Sequence, residues 1–155
     1  AEVLRLDVTE PASISGLSWQ LDGEKIDTAW YVAGVMCSRA DAHLPPAQLE
    51  FDRVMHANVL GAMQAIPQIA PLVEAARGRL GFITSSIGRI GAVGGSNPWL
   101  FVLLHPGWVR TDMGGPQAGI STQDSVTQLR ATLASATAAD NGGFFNHDGN
   151  RLNGW

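Results

Sequence analysis

F-I-T-S-S-I-G, from Phe82 to Gly88, and F-V-L-L-H-P-G, from Phe101 to Gly107, each lead an apolar run into small and polar residues. This pattern is typical of buried parallel strands that end at the edge of an α/β sheet. The fourteen residues from Ile87 to Leu100 hold four glycines and a proline and show no helical period. A parallel strand–helix–strand unit usually takes about 30 residues or more. Either the sheet is unusual here, or a helix is absent from this stretch.

The rest of the chain alternates between predicted strands and helices, which indicates a parallel sheet covered on both faces. Strands are predicted at residues 3–8, 26–32, 80–84, 101–104 and 144–146, and helices at 12–21, 49–76 and 121–136. Thr9 and Pro11 are expected to begin the first helix, and Ser121 or Thr122 to cap the last. Pro67 and Pro71 predict a kink or a division of the longest helix. The predicted fold class is α/β, a Rossmann-type doubly wound parallel sheet in one domain over residues 1–155.

Composition excludes several classes of function. The net charge is -4 and the basic residues are scattered, which argues against a nucleic-acid interface. The single cysteine, Cys37, permits no internal disulfide. No apolar run approaches the roughly 18 residues of a membrane helix, and no leader pattern opens the chain. His43, His56 and His147 lack the spacing of a metal site. A cytoplasmic protein that binds neither membrane nor metal is expected, and the missing initiator methionine suggests a longer protein.

Small or polar residues stand where four predicted strands end. They are Asp7 and Val8, Ala33 and Gly34, Ser85 and Ser86, and Pro106 and Gly107. Ligands of open α/β sheets bind at the carboxyl ends of the strands, and small residues there let a flat ligand lie close to the backbone. Their joint occurrence favours a ligand site over four plain strand–loop junctions.

Five segments resemble, in order, the motifs of the short-chain dehydrogenase/reductase family and within it the C-factor-like subgroup. They are L-D-V at Leu6–Val8, A-G-V at Ala33–Val35, N-V-x-G at Asn58–Gly61, I-T-S-S-x-x-x-x-G at Ile83–Gly91 and H-P-G-W-V-R-T-D-M at His105–Met113. The resemblance covers nearly the whole chain. It implies a nicotinamide cofactor, NAD or NADP with NADP slightly favoured, and a small carbonyl or alcohol substrate.

The resemblance also implies a role for each matching residue. Ser86 would hydrogen-bond the substrate oxygen, and Asn58 would hold a water in a proton relay. Asp7 and Val8 would border the adenine, and Ala33 and Gly34 would pack on the ribose. The nicotinamide would be framed by Pro106, Gly107, Val109 and Thr111, with Thr111 near the carboxamide. Trp99, Trp108 and Met113 would border a hydrophobic substrate pocket. A homodimer or homotetramer is expected.

Two family motifs are absent from the sequence. The Gly-rich turn T-G-x-x-x-G-x-G, which supplies the helix N-terminus for the pyrophosphate, does not occur, and neither does Y-x-x-x-K, which carries the catalytic tyrosine. The family's N-N-A-G reads Y-V-A-G at Tyr31–Gly34. We therefore expect that an N-terminal strand–turn–helix region and a helix between Leu100 and Phe101 are missing from this chain.

Two other functions stay open on the sequence alone. T-S-S-I-G resembles the nucleophile elbow G-x-S-x-G of serine hydrolases, with Ser86 as nucleophile and His105 or His147 as base. Thr84 stands where that strained turn wants a glycine, which disfavours the hydrolase. The other alternative is a non-catalytic, reductase-like protein used in signalling or interaction.

Overall fold

The computed structural model describes residues 3–36, 45–84 and 100–152. Two compact units divide the chain. The first unit comprises Ala1–Lys25 and Val32–Leu72, and the second comprises Ile26–Tyr31 and Val73–Trp155. Ser86 and Cys37 lie outside the described residues. No helix in the described ranges is both long and apolar enough to cross a membrane.

The second unit is built on a four-stranded parallel sheet. Its strands are β1 (Thr28–Tyr31), β2 (Arg79–Ile83), β3 (Leu100–His105) and β4 (Phe144–Asn146), and they pair in that order. The predicted fold class is confirmed: this is an α/β, Rossmann-type parallel sheet with helices. Leu100 and Phe101 are consecutive residues of β3, in register with Arg79 and Leu80 of β2.

Helix α4 (Thr122–Ser135) covers the sheet of the second unit. Ser121 caps it by accepting a hydrogen bond from the Asp124 backbone N–H at 3.0 Å, as one of the two predicted caps. Residues at three- and four-residue spacing turn one apolar face of the helix toward the strands. The resulting core contains Val102, Leu104, Leu129, Leu133, Ala136 and Phe145.

The first unit is largely helical. Its elements are α1 (Pro11–Gln20), α2 (Gln48–Met55), a π-helical turn (His56–Leu60) and most of α3 (Gly61–Ala75). The long helix predicted for residues 49–76 is present, because α2, the π-helical turn and α3 follow one another without a break. Pro67 and Pro71 both lie inside α3, so they do not divide the helix, and the predicted kink stays a prediction.

The predicted buried strand at residues 3–8 was also wrong. Residues 3–7 form no regular element, and the Val3 side chain is 90% exposed. A strand is stable only when its backbone groups find a ladder partner, and no described segment pairs with these residues. Instead, the Asp7 backbone N–H donates to the Ser13 hydroxyl at 3.0 Å and the Asp7 carbonyl accepts from the Glu10 N–H at 3.2 Å.

The start of α1 agrees with only half of the prediction. Pro11 is its first residue, where a missing N–H costs nothing. The N-cap position is Glu10, however, and its side chain makes no capping bond. The Thr9 hydroxyl donates to the Asp7 carboxylate at 2.7 Å and is not the cap.

Candidate functional site

The π-helical turn of the first unit holds Asn58 against the chain that follows β1. The Asn58 Oδ1 atom accepts a hydrogen bond from the Val35 backbone N–H at 2.7 Å. Its Nδ2 atom donates to the Val35 carbonyl, also at 2.7 Å. Single π-helical turns inside helices occur frequently at functional sites. We call this pair of bonds the Asn58 clamp, and it fixes the backbone beside Ala33 and Gly34.

The Asn58 clamp uses half of the bonding capacity of the side chain. A primary amide has two N–H donors and two acceptor lone pairs. One donor and one acceptor are committed to Val35. The proton-relay role that the resemblance implies for Asn58 stays a prediction. The clamp itself shows that the side chain positions the residues after β1.

Two glycines bring the predicted cofactor residues of the first unit close to Asn58 and α3. A Cβ atom on Gly34 would lie 3.4 Å from the Asn58 Oδ1 atom. A Cβ atom on Gly61 would lie 2.7 Å from the Val8 carbonyl oxygen, which is closer than real Cβ atoms approach. In the N-V-x-G motif, Asn58 therefore hydrogen-bonds Val35, and the absence of a side chain at Gly61 lets the Val8 backbone approach closely.

Asp7 lies in an exposed turn that its own side chain organises. The Asp7 Oδ1 atom accepts from the Thr9 hydroxyl at 2.7 Å and from the Thr9 backbone N–H at 2.9 Å. These bonds, the hydroxyl first and the backbone second, hold the pKa of the Asp7 carboxyl below its ordinary value. A charged Asp7 at neutral pH follows, beside the Val8 backbone that packs on Gly61.

The second group of predicted residues follows β3 in the second unit. Gly107 has φ +81°, a conformation that side chains other than glycine rarely adopt. A Cβ atom there would lie 2.5 Å from Ile120 Cδ1 and 2.7 Å from His147 Cδ2. The carbonyl of Pro106 accepts a hydrogen bond from the buried Ser125 hydroxyl at 2.8 Å. Glycine is therefore required at the sharp turn after β3.

The segment from Pro106 to Ile120, which we call the β3 loop, is held by its own backbone. Val109 forms a parallel bridge with Ile120, and the Arg110 N–H donates to the Ile120 carbonyl at 2.8 Å. The Thr111 hydroxyl accepts from the Gly114 N–H at 3.0 Å. The predicted contact of Thr111 with a carboxamide would therefore use the remaining capacity of an already bonded hydroxyl. Trp108 and Met113 are both about half exposed.

Two histidines stand at the carboxyl ends of β3 and β4. Burial is the main cause that lowers the pKa of His105. A hydrogen bond with the Thr84 backbone raises that pKa, and the charge of His147 lowers it further. Among the described residues, the buried Nδ1 atom of His105 has no hydrogen-bond partner. His147 Nδ1 makes a short contact with Gln128 Oε1 on α4. No three His, Cys, Asp or Glu residues in ranges 3–36, 45–84 and 100–152 are grouped to hold a metal ion.

The sequence reasoning missed three side chains that this geometry uses. Two of them lie on α4: Ser125 donates a hydrogen bond to the Pro106 carbonyl of the β3 loop, and Gln128 contacts His147. Ser125 lies four residues before Leu129 on the buried face of α4, a signal that its hydroxyl needs a partner. Tyr31 stacks on Phe82 with ring centroids 5.0 Å apart, and burial raises its pKa. Its buried hydroxyl has no partner within the part of the chain that the structure describes.

The predicted site residues fall into two groups. Asp7, Val8, Ala33, Gly34 and Asn58 lie in the first unit, joined by the Asn58 clamp and by the packing of Gly61 on Val8. Pro106, Gly107, Val109 and Thr111 lie in the β3 loop of the second unit. Ser86 falls outside the described residues, so its role stays a prediction.

Comparison with known proteins shows which proteins this chain is similar to. No protein-family model matches the chain. The chain is 26% identical over 147 residues to the C-signal of Myxococcus xanthus, which covers 78% of this chain and 86% of that protein. Its fold is similar to that of the carbonyl reductase Sniffer of D. melanogaster, with a TM-score of 0.84, 22% identity and coverage of 99% of this chain and 78% of that one.

Two cofactor-bound structures share the fold as well. The NADPH-bound carbonyl reductase from chicken fatty liver gives a TM-score of 0.79 at 20% identity, over 99% of this chain and 77% of that one. A structure from Burkholderia multivorans, described as a short-chain dehydrogenase/reductase with bound NADP, gives 0.75 at 23% identity, over 97% and 75% of the two chains. In motif order, sequence and fold, the chain resembles the short-chain dehydrogenases/reductases and, among them, the C-factor-like subgroup.

Proposed function

We propose that the chain is part of a short-chain oxidoreductase that transfers a hydride between a nicotinamide cofactor and a small carbonyl or alcohol substrate. The observation that carries the proposal is the order of five motifs together with similarity to the C-signal over 78% of the chain. Carbonyl reductases with bound NADPH or NADP share the fold. NADP is therefore the cofactor that we favour over NAD.

Two glycines support a cofactor that lies against the backbone. Gly34 and Gly107 carry no side chain; the Asn58 clamp holds the chain beside Gly34, and Ile120 and His147 occupy the space beside Gly107. A bare, fixed backbone lets a flat ring lie close to the chain. Asp7 and Val8 would border the adenine and Gly34 the ribose, and Pro106 to Thr111 would frame the nicotinamide. The cofactor supplies the hydride chemistry, and the protein supplies orientation and a proton path.

The proton path is where the chain departs from this function. It contains one tyrosine, Tyr31, and one lysine, Lys25, so Y-x-x-x-K cannot occur anywhere in it. Within the proposal, Ser86 would bond the substrate oxygen and Asn58 would position the chain beside the cofactor. The phenol that gives up the proton would come from a segment that this sequence does not contain.

The alignment with the C-signal contains positions that have no counterpart in this chain. It runs over 147 positions, but 78% of 155 residues is about 121, so about 26 positions have no residue in this chain. Joined in one gap, that many positions would accommodate a helix of ordinary length with its connections. We propose that a strand–turn–helix region before residue 1 and a helix between Leu100 and Phe101 belong to the complete enzyme. We also propose that the complete enzyme is a homodimer or homotetramer.

Titration with NADPH and NADH tests the function. Purified protein should bind NADPH in the micromolar to millimolar range and reduce small aldehydes or ketones once the complete coding sequence is expressed. Intact-mass measurement on the natural protein decides the missing segments, because the present sequence corresponds to 16.4 kDa. A natural protein of that mass would contradict the proposed missing helix.

The second candidate is a reductase-like protein that signals or interacts without catalysis. Two observations favour it: the absence of Y-x-x-x-K and the similarity to a protein named C-signal. This candidate predicts that the natural full-length protein shows no carbonyl reduction. The hydrolase alternative rests on Ser86, outside the described residues, and labelling of Ser86 by an active-site serine probe would support it.

A further inference from the structure

An open cleft of about 570 Å³ lies in the second unit between the sheet and α4. The sheet contributes Thr28, Trp30 and Arg79, and α4 contributes Arg130, Ala131 and Ala134. We call it the arginine cleft. Its volume falls in the range of small-molecule sites, about 300–1,000 Å³.

The arginine cleft lies at the other end of the strands from the predicted cofactor residues of the β3 loop. Thr28 and Arg79 are the first residues of β1 and β2 and are paired in register. Pro106 and Gly107, by contrast, follow the last residue of β3. A ligand in this cleft therefore does not compete with a group held by the β3 loop.

Apolar surface lines the inner side of the arginine cleft. A Cβ atom on Gly81 would lie 3.0 Å from Trp30 Cε3 and Cζ3 and 3.1 Å from Leu133 Cδ2. The missing side chain at Gly81 thus lets the indole lie across β2 against α4. Trp30 stays partly exposed, so the indole offers a flat surface on which an aromatic ring can stack.

Two guanidinium groups face this apolar surface without a counter-charge. In the described ranges, neither Arg79 nor Arg130 lies within 4.0 Å of a carboxylate oxygen. The Nε atom of Arg79 is buried, and it has no hydrogen-bond partner among the residues described. Guanidinium forks match the geometry of carboxylate and phosphate groups.

We infer that the arginine cleft binds a small aromatic anion, a planar ring that carries a phosphate or a carboxylate. The anionic group pairs with Arg79 and Arg130, and the ring packs on Trp30. Charge complementarity selects the anion, and the indole selects the ring. This site is separate from the β3 loop and does not depend on the proposed oxidoreductase activity.

Isothermal titration with phenyl phosphate and benzoate tests the inference, with benzyl alcohol as the neutral analogue. Both anions should bind with a single site, more weakly as salt is raised, and benzyl alcohol should not bind measurably. Arg130→Gln should weaken binding of both anions about tenfold. Arg5→Gln removes the same charge from the first unit and should leave affinity unchanged. Equal losses in the two variants, or no saturable binding of either anion, would overturn the inference.

A pair of variants on α4 keeps the test independent of Arg130. Ala131→Glu places a carboxylate in the cleft and should abolish binding of both anions, whereas Val126→Glu adds the same charge outside the cleft. Ala131 and Val126 are both exposed, so both variants should fold. Equal effects of the two variants would contradict the assigned location. Displacement of phenyl phosphate by NADPH would assign the cleft to the cofactor and would also overturn the inference.

Discussion

The two groups of predicted site residues are held by opposite means. In the first unit, one side chain does the holding, because the Asn58 amide bonds both backbone groups of Val35. In the second unit, the β3 loop holds itself through backbone bonds between residues 108–110 and Ile120. Side chains add single bonds to this backbone network: Trp108 donates to the Gly114 carbonyl, Arg110 donates to the Ala118 carbonyl, and Ser125 donates to the Pro106 carbonyl.

The difference predicts how each group responds to substitution. Where one side-chain amide fixes the backbone, removing that amide should disorder the backbone locally and leave the surrounding fold intact. A loop fixed by many backbone bonds should tolerate side-chain losses and fail where backbone conformation is changed. The following predictions test this contrast, from the largest expected effect to the smallest.

Gly107→Ala should cause the largest loss of stability. The new Cβ atom would meet Ile120 and His147 at 2.5 and 2.7 Å, and φ is +81°. Backbone strain and overpacking together should lower the free energy of unfolding by ~3 kcal/mol. Urea denaturation measures the change.

Gly115→Ala is the control for Gly107→Ala. Gly115 has φ +80°, but a Cβ atom there would meet nothing within 4 Å. The substitution should cost about 1 kcal/mol, from conformation alone. Equal losses in the two variants would show that the contacts of Gly107 contribute nothing.

Asn58→Ala should lower the free energy of unfolding by about 2 kcal/mol. It removes both bonds of the Asn58 clamp and leaves the Val35 N–H and carbonyl without protein partners. Hydrogen exchange at Val35 should become faster, while the amides of the β3 loop stay protected.

Ser125→Ala is the matched change in the second unit. It removes one bond to the Pro106 carbonyl and should cost about 1 kcal/mol. The contrast between the two groups would be wrong if hydrogen exchange at the β3-loop amides in Ser125→Ala were as fast as exchange at Val35 in Asn58→Ala.

The fold was predictable where local signals and tertiary packing agree. The strands at residues 80–84, 101–104 and 144–146 lie within two residues of β2, β3 and β4, because continuous apolar runs match burial in a parallel sheet. The cap at Ser121 was predicted for the same reason: its signal is local. The strand prediction for residues 3–8 failed because an apolar run does not show whether a neighbouring strand is present to pair with it.

For the site, the sequence predicted which residues belong to it but not which residues contact one another. The motif containing Asn58 was visible in the sequence, but its partner Val35 lies 23 residues away. The π-helical turn that presents Asn58 has no period of its own to detect. Tyr31 gave a strand signal, whereas its stacking on Phe82 depends on the register between β1 and β2.

Gly61→Ala should lower the free energy of unfolding by about 1 kcal/mol. The Cβ atom would lie 2.7 Å from the Val8 carbonyl, and the higher helix propensity of alanine offsets part of the cost. Gly16→Ala in α1 is the control, because its Cβ atom would meet only the flexible end of Gln20 at 3.3 Å. That variant should gain up to about 1 kcal/mol. A gain in both variants would show that Val8 does not pack on α3.

His105 should give the smallest effect, as a pH dependence at the base of the β3 loop. Burial lowers the pKa of His105 in the folded protein below its ordinary value of 6.5, so the unfolded chain binds the proton more tightly. The free energy of unfolding therefore falls as pH drops below about 6.5 and is unaffected by His105 above that pH. Urea midpoints at pH 7.5 and pH 5.5 should differ less in His105→Gln than in the natural chain.

His56→Gln controls for histidine loss in general. His56 is exposed in the π-helical turn of the first unit, where its Nδ1 atom contacts the Asp52 carbonyl. This variant should retain the full pH dependence of the natural chain. If His56→Gln flattens the dependence and His105→Gln does not, the proton-sensitive part of the molecule belongs to the helical unit.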